Sequence, residues 1–454
     1  MNIQNSFALL ERFGILPKQF IYITGILALV YAFPPALLPV YLVLAVYAFR
    51  GPRQAIEALS ISLLLVFLNP GLFSLSGNIL LLRWLVFLAA IVRVFLTFVE
   101  RELSVPGPVF ASLFFLVIIG GLSVVSSYQP MISVLKLLQF IIGIITILYA
   151  FQFTAEEKEY WTRWFTSFFI VVLILSFPLY FMAAGYHRVS SSFQGLLNQP
   201  QAWGVFLAPV TAWFIARFLS GEDRAPYIIP GIIAGSFFIF ASDARVALAA
   251  MVLGFVFAFI VKVIRGDRFL PFQSSRFGAS IYPLTVIIIV LFGFMNFNEI
   301  KESYQDFIHK GKEFTTIGEG YHQTRGMLIE RSLENFRDHP VTGIGFGIGS
   351  DIHRFEAKRT ESLGLVIGAS TEKGFIGSAI LEEIGIFGTF IFLIFLCSLI
   401  LYVYKHGTYS QAVLMFSAFS VNIAEMVLFS FGGLGLYIWL LIGYAIMPSN
   451  ETQK

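Results

Sequence analysis

Four side chains stand out by type and by place: Arg188, Arg245, Arg325 and Glu372. Arg188 lies in Tyr186-His187-Arg188-Val189-Ser190-Ser191-Ser192-Phe193-Gln194-Gly195, and Arg245 follows Ser242-Asp243-Ala244 and runs straight into Val246-Ala247-Leu248. Arg325 opens a helical stretch that continues through Met327-Leu328-Ile329. A charge at an apolar boundary is expensive and serves a pathway, a pair or a ligand. Each guanidinium can fork two N–H donors onto phosphate oxygens, so three arriving from separate loops would form a receptor for a diphosphate. Plainer readings stay open: Arg245 could pair with Asp243 or snorkel to the interface, Arg188 could be an ordinary loop charge, and Arg325 could sit on a solvated helix face. Glu372, in Ser370-Thr371-Glu372-Lys373-Gly374-Phe375, is a carboxylate at a membrane boundary and could act as a base, or pair with Lys373 or Arg325. Glu382 and Glu383 follow a turn or two later, before Ile384-Gly385-Ile386-Phe387-Gly388; capping or packing polarity would account for them.

These residues must be held by helices in lipid. Mean hydropathy is +0.81, with 57% hydrophobic and 13% charged residues, whereas a soluble domain has about a quarter charged. The chain therefore reads as an all-α polytopic integral membrane protein with about twelve to fourteen transmembrane helices. Apolar runs fall near 19–32, 35–49, 57–72, 79–98, 107–126, 132–153, 164–184, 202–219, 227–241, 243–263, 281–297, 376–404, 410–425 and 427–447. The Phe33-Pro34-Pro35 break leaves open whether the first two are one kinked span. Residues 1–297 thus hold the first eleven spans, 298–375 a large periplasmic or extracellular loop with short helices, and 376–454 the last spans. Every second loop is basic, which by the positive-inside rule puts both termini in the cytoplasm and 298–375 outside. The first span has no small-residue cleavage site and reads as retained. The single cysteine, Cys397, lies in an apolar run, which excludes an intramolecular disulfide and a cysteine metal site. Net charge of +3 follows from the inner-loop bias and carries no nucleic-acid implication.

Within the outer segment, 299–319 is rich in charge, whereas Thr324–Phe336 has Leu328, Ile329, Leu333 and Phe336 at helical spacing. Asp338-His339-Pro340 ends that helix. Gly343-Ile344-Gly345-Phe346-Gly347-Ile348-Gly349 then places glycine at every second position. Such a run lets backbone approach a ligand or a neighbouring helix. It follows no buried parallel strand, so nucleotide binding is a weak reading; a flexible re-entry loop and a binding role both stay open.

The chain resembles the O-antigen polymerase and ligase superfamily, bacterial membrane glycosyltransferases acting on undecaprenyl-diphosphate-linked sugars. Four stretches carry the resemblance over roughly residues 180–400. They are Arg188 to Gly204 with Asn198-Gln199-Pro200-Gln201; Ser242-Asp243-Ala244-Arg245; Arg325 to Gly349 with Asp338-His339-Pro340-Val341-Thr342-Gly343-Ile344-Gly345-Phe346-Gly347; and Glu382-Glu383-Ile384-Gly385-Ile386-Phe387-Gly388. Ligases of this group carry a histidine about eleven residues before the last Gly-x-x-Gly; here the count back from Gly385 lands on Lys373-Gly374. Glu372 is the nearest residue able to take a proton, and the departure favours a polymerase.

The resemblance implies polymerisation of lipid-linked oligosaccharide repeat units into surface polysaccharide on the outer face of the bacterial inner (plasma) membrane. It implies no metal and no cofactor, with Arg188, Arg245 and Arg325 stabilising the departing diphosphate and Glu372 as base. Expected partners are undecaprenyl-diphosphate-linked glycans, membrane lipids and a chain-length regulator protein, with no nucleic acid. Two alternatives stay open: ligation of finished glycan to a lipid or protein acceptor, and transport of a small anion or solute. Against transport, the inner half of the spans shows no buried charge apart from Arg93.

Overall fold

The computed structural model describes residues 16–73, 79–100, 107–223, 225–265, 326–351, 359–362, 365–369, 373–423 and 425–447. Ten helices come first: α1 Pro17–Ala32, α2 Leu37–Ala48, α3 Pro52–Val66, α4 Ile79–Glu100, α5 Gly107–Val125, α6 Pro130–Phe153, α7 Lys158–Ser176, α8 Pro200–Ser220, α9 Ile228–Ala241 and α10 Arg245–Arg265. Then come α11 Met327–Asp338, strands β1 Arg359–Ser362 and β2 Leu365–Ala369, α12 Ile376–His406, α13 Tyr409–Ser420 and α14 Gly435–Ala445. Proline is the first residue of α1, α3, α6 and α8. At that position its missing N–H costs nothing and its fixed φ suits the helix. Helix α13 opens on a capping box in which Thr408 and Gln411 bond each other's backbone N–H.

Among the described residues, seven stretches are long and apolar enough to cross a membrane: 82–100, 108–125, 130–153, 155–181, 200–220, 245–265 and 376–406. The chain is an all-α polytopic membrane protein. Large apolar side chains such as Phe95, Phe114, Ile264 and Phe390 point outward, as suits helices solvated by lipid. Helix α8 is buried nearly all round and packs on α9, α10 and α13. Helix α14 is buried along its whole length, with Trp439 and Tyr437 in the core.

The structure shifts several expected spans. A 3-10 turn over Pro34–Ala36 separates α1 from α2, so these are two helices. Helix α7 starts at Lys158, ahead of the expected 164, and yields to 3-10 turns at Pro178–Phe181 and Ala183–Gly185. The expected 427–447 span shortens to α14, preceded by turns from 425 to 434. The expected span 281–297 lies outside the described residues. In the outer segment the expected short helix is α11. Strands β1 and β2 are an addition, paired antiparallel with Arg359 opposite Ala369 and Ser362 opposite Leu365.

Alternate connections gather at one end, here termed the upper end. Asn69 N donates to Leu196 O, Phe193 N to Ala241 O, and Tyr128 N to Ile344 O. Arg83 Nη1 donates to Gly432 O at 2.6 Å. By the charge pattern of its loops this is the end expected outside.

Candidate functional site

Two arginine-bearing loops meet at the upper end. A bridge between Tyr186 and Phe193 closes the turn that carries Arg188. Inside it His187 N donates to Ser192 O, and Ser191 N to His187 O, each at 2.9 Å. Arg188 sits exposed near the tip. The second loop is only three residues long: Asp243, at φ 52, turns the chain from α9 into α10, whose first residue is the half-buried Arg245. Ser192 Oγ donates to Asp243 Oδ2 at 2.8 Å, and Phe193 N to Ala241 O at 3.0 Å. Phe193 stacks on Phe238 of α9, ring centroids 4.9 Å apart. The loops of Arg188 and Arg245 therefore form one unit.

That unit hangs on Asn69, a fully buried residue past the end of α3. Its amide donates to Ala184 O at 2.8 Å and Gly195 O at 2.9 Å, and its own carbonyl oxygen accepts from Gly71 N. Buried polar groups must find partners, and here three turns of the chain satisfy one another. Asn69 went unnoticed in the sequence, though Asn-Pro-Gly after an apolar run signals a turn.

The second part of the site is a break in α12. Gly385 has φ 65 and ψ −172 in mid-helix. An unbroken helix would send Ile386 N to Glu382 O; instead Ile386 N donates to Pro340 O at 2.9 Å. The glycine loop fills the gap. Ile344 N donates to Glu382 O at 2.8 Å, Gly345 N to Glu383 O at 3.3 Å, and Ser123 Oγ to Glu383 O at 2.9 Å. Residues 343–350 are all buried, so this segment is a packed plug, and the flexible-loop reading is set aside. Phe346 is clamped between Phe140 and Phe429, with centroids at 5.3 and 5.0 Å.

Beside the plug lies a buried charge cluster. Lys373 Nζ is 2.7 Å from Glu382 Oε2 and 3.2 Å from Glu383 Oε1. Glu382 also accepts from Asn335 Nδ2 at 2.6 Å and Ser350 Oγ at 2.9 Å, and Glu383 accepts from Gly347 N at 2.7 Å. Lys136 of α6 donates to Gly347 O at 2.7 Å. Burial by itself would lower the Lys373 pKa, but the carboxylates of Glu383 and Glu382 more than offset it and hold it above the usual lysine value. Glu382 and Glu383 are thus partners in an ion cluster, more than caps or packing polarity. Close by, His339 Nε2 and the Tyr128 hydroxyl are 2.7 Å apart.

Of the four residues expected to act, the structure joins the loops of Arg188 and Arg245, while Arg325 and Glu372 lie outside the described residues. Sequence reading passed over two cations near the upper ends of apolar helices. Arg83, 1% exposed, donates to the backbone oxygens of Phe431 and Gly432. Lys136 holds the glycine loop. Both are lone charges in apolar runs, the signal that drew attention to Arg245.

Residues 230–393 match the family model described as O-antigen ligase. The match takes in Arg245, the glycine loop and the Lys373–Glu382–Glu383 cluster, and begins after Arg188. No curated protein matches the chain. Through residues 230–393 the chain carries the domain of the O-antigen polymerase and ligase superfamily.

Proposed function

We propose that this protein polymerises lipid-diphosphate-linked oligosaccharide repeat units on the outer face of a bacterial inner membrane. The observation that carries the reading is the union of two arginine-bearing loops, through Ser192 and Asp243, at the same end of the bundle as the seated glycine loop. A hydroxyl of the acceptor glycan attacks the anomeric carbon of the donor. The carbon–oxygen bond to the diphosphate breaks, the lipid diphosphate leaves, and the anomeric centre inverts. Arg188, Arg245 and Arg325 stabilise the charge that builds on the diphosphate, where fixed donors act most strongly. Glu372 takes the hydroxyl proton. The substrate is undecaprenyl-diphosphate-linked glycan, both termini are cytoplasmic, and a chain-length regulator is a partner.

A second reading, transfer of finished glycan to a lipid or protein acceptor, draws support from the description of the matched family. Polymerisation is favoured because the place where the resemblance expects a ligase histidine holds Lys373 and Gly374. The Lys373 ammonium is buried against two carboxylates and has no lone pair to offer. Polymerisation of a lipid-linked repeat by the Arg245→Ala protein tests the assignment. The expected loss is roughly a hundredfold or more in kcat, the scale seen when one transition-state donor is removed. Full activity in that variant would remove Arg245 from the mechanism.

A further inference from the structure

We propose that Lys373, Glu382 and Glu383 form a positioning lock that seats the glycine loop in the break of α12 and fixes α11 against it. The three residues are 3%, 0% and 3% exposed. Lys373 precedes α12, Glu382 and Glu383 stand on it, and among the described residues the further hydrogen bonds of their carboxylates cross to the loop or to α11. Glu382 takes Asn335 of α11 and Ser350 at the end of the loop, and Glu383 takes the Gly347 N–H. Asn335 also donates to Ser350 O at 2.9 Å, and Ser332 Oγ lies 3.2 Å from Ser350 Oγ. One ammonium thus holds together the two anchors that fix the middle of the plug, at Gly347, and its far end, at Ser350.

The lock also sets register. Backbone bonds at Ile344 and Gly345 hold the loop to α12, but any residue can offer a backbone N–H. Side chains are selective: Glu382 takes the Ser350 hydroxyl, and the Glu383 bond falls at position 347, where φ is 72 and Lys136 packs close enough to require glycine. Without the ammonium, two buried carboxylates would face each other with only Lys136, near Glu383, to offset them, and burying charge in excess of its partners is far costlier than burying a neutral hydrogen-bonded group. The lock residues therefore act through the loop they hold, and are positioning residues. Their link to catalysis rests on the glycan-transfer reading; the seating of the loop does not.

The test uses the full-length protein in nanodiscs and three variants: Lys373→Met, Glu383→Gln, and the neutral triple Lys373→Met/Glu382→Gln/Glu383→Gln. Hydrogen exchange over residues 340–350 and thermal melting report the seat without any glycan. Lys373→Met is expected to speed exchange there by about tenfold or more and to lower the melting temperature. Glu383→Gln, which keeps an acceptor for Gly347, should fall between it and wild type. The triple variant should recover both measures and keep kcat within about tenfold, with donor KM unchanged. Wild-type exchange in Lys373→Met overturns the lock, and so does a triple variant as unstable as Lys373→Met. A triple variant that melts like wild type yet loses kcat by more than about a hundredfold also overturns it, because the charges would then act in the chemistry. If the wild-type protein transfers no glycan, the function reading fails, while exchange and melting still decide the lock.

Discussion

At the scale of residues, the charges of the upper end fall into two kinds. Arg188 is exposed and Arg245 half-buried on joined loops, where both can meet a ligand. Lys373, Glu382 and Glu383 are sealed in and serve one another. Removing one partner of a buried pair costs about 3–5 kcal/mol, whereas replacing the whole set by neutral groups can be close to neutral. The lock also has a pH signature. The Lys373 pKa is raised in the folded state, so its contribution is fully present below the ordinary lysine value of about 10.4 and is lost as pH rises through the folded value. Melting should therefore fall at alkaline pH above about 10.4 in the wild type, and the neutral triple variant should lack that component. An identical alkaline limb in both proteins would show that Lys373 carries no such linkage. Arg188 and Arg245 were legible in the sequence because charge beside apolar runs is conspicuous. The lock was not, because Lys373 is nine residues from Glu382 across a helix start, and Asn335 reaches it from 47 residues away. No sequence pattern announces such a convergence.

At the scale of elements, the break in α12 explains why the glycine run and the Glu382–Gly388 motif stand in one chain. Each supplies what the other lacks. The broken helix has carbonyls without donors, and the loop has N–H groups free to turn inward. Gly385 and Gly343 make the fit possible. Both have positive φ, and a Cβ at Gly385 would run into the backbone of Val341, while one at Gly343 would meet the backbone of Glu382 and Glu383. Gly385→Ala should cost about 1–3 kcal/mol from conformation alone, and more through that clash. Thermal melting checks this: a clear drop is expected, and melting at the wild-type temperature would mean that the loop does not depend on the break. Helix positions were largely readable from apolar runs, and α11 from its four apolar residues. The notch was not, because Ile384-Gly385-Ile386 reads as ordinary membrane helix. The β1–β2 pair was not legible because Arg359-Thr360-Glu361-Ser362 is polar throughout and lacks the apolar–polar alternation that marks a strand.

At the scale of the molecule, the fold is a bundle whose alternate connections knit together at one end. Asn69 ties 184, 195 and 196; Arg83 ties 431 and 432; Phe346 and Phe429 join the glycine loop to the last connection. The matched family domain spans only residues 230–393, yet its glycine loop is gripped by Tyr128 and Lys136, which precede it. The site is thus a property of the whole bundle rather than of a detachable outer domain. The most direct test of the central claim is reconstitution of the purified protein in liposomes with a lipid-diphosphate-linked repeat unit, in the presence of a metal chelator. The expected result is a ladder of lengthened glycans still attached to lipid diphosphate, with release of free lipid diphosphate, and its loss in the Arg245→Ala protein. Glycan moved to a different acceptor with no lengthening, or a ladder unchanged by Arg245→Ala, would contradict it.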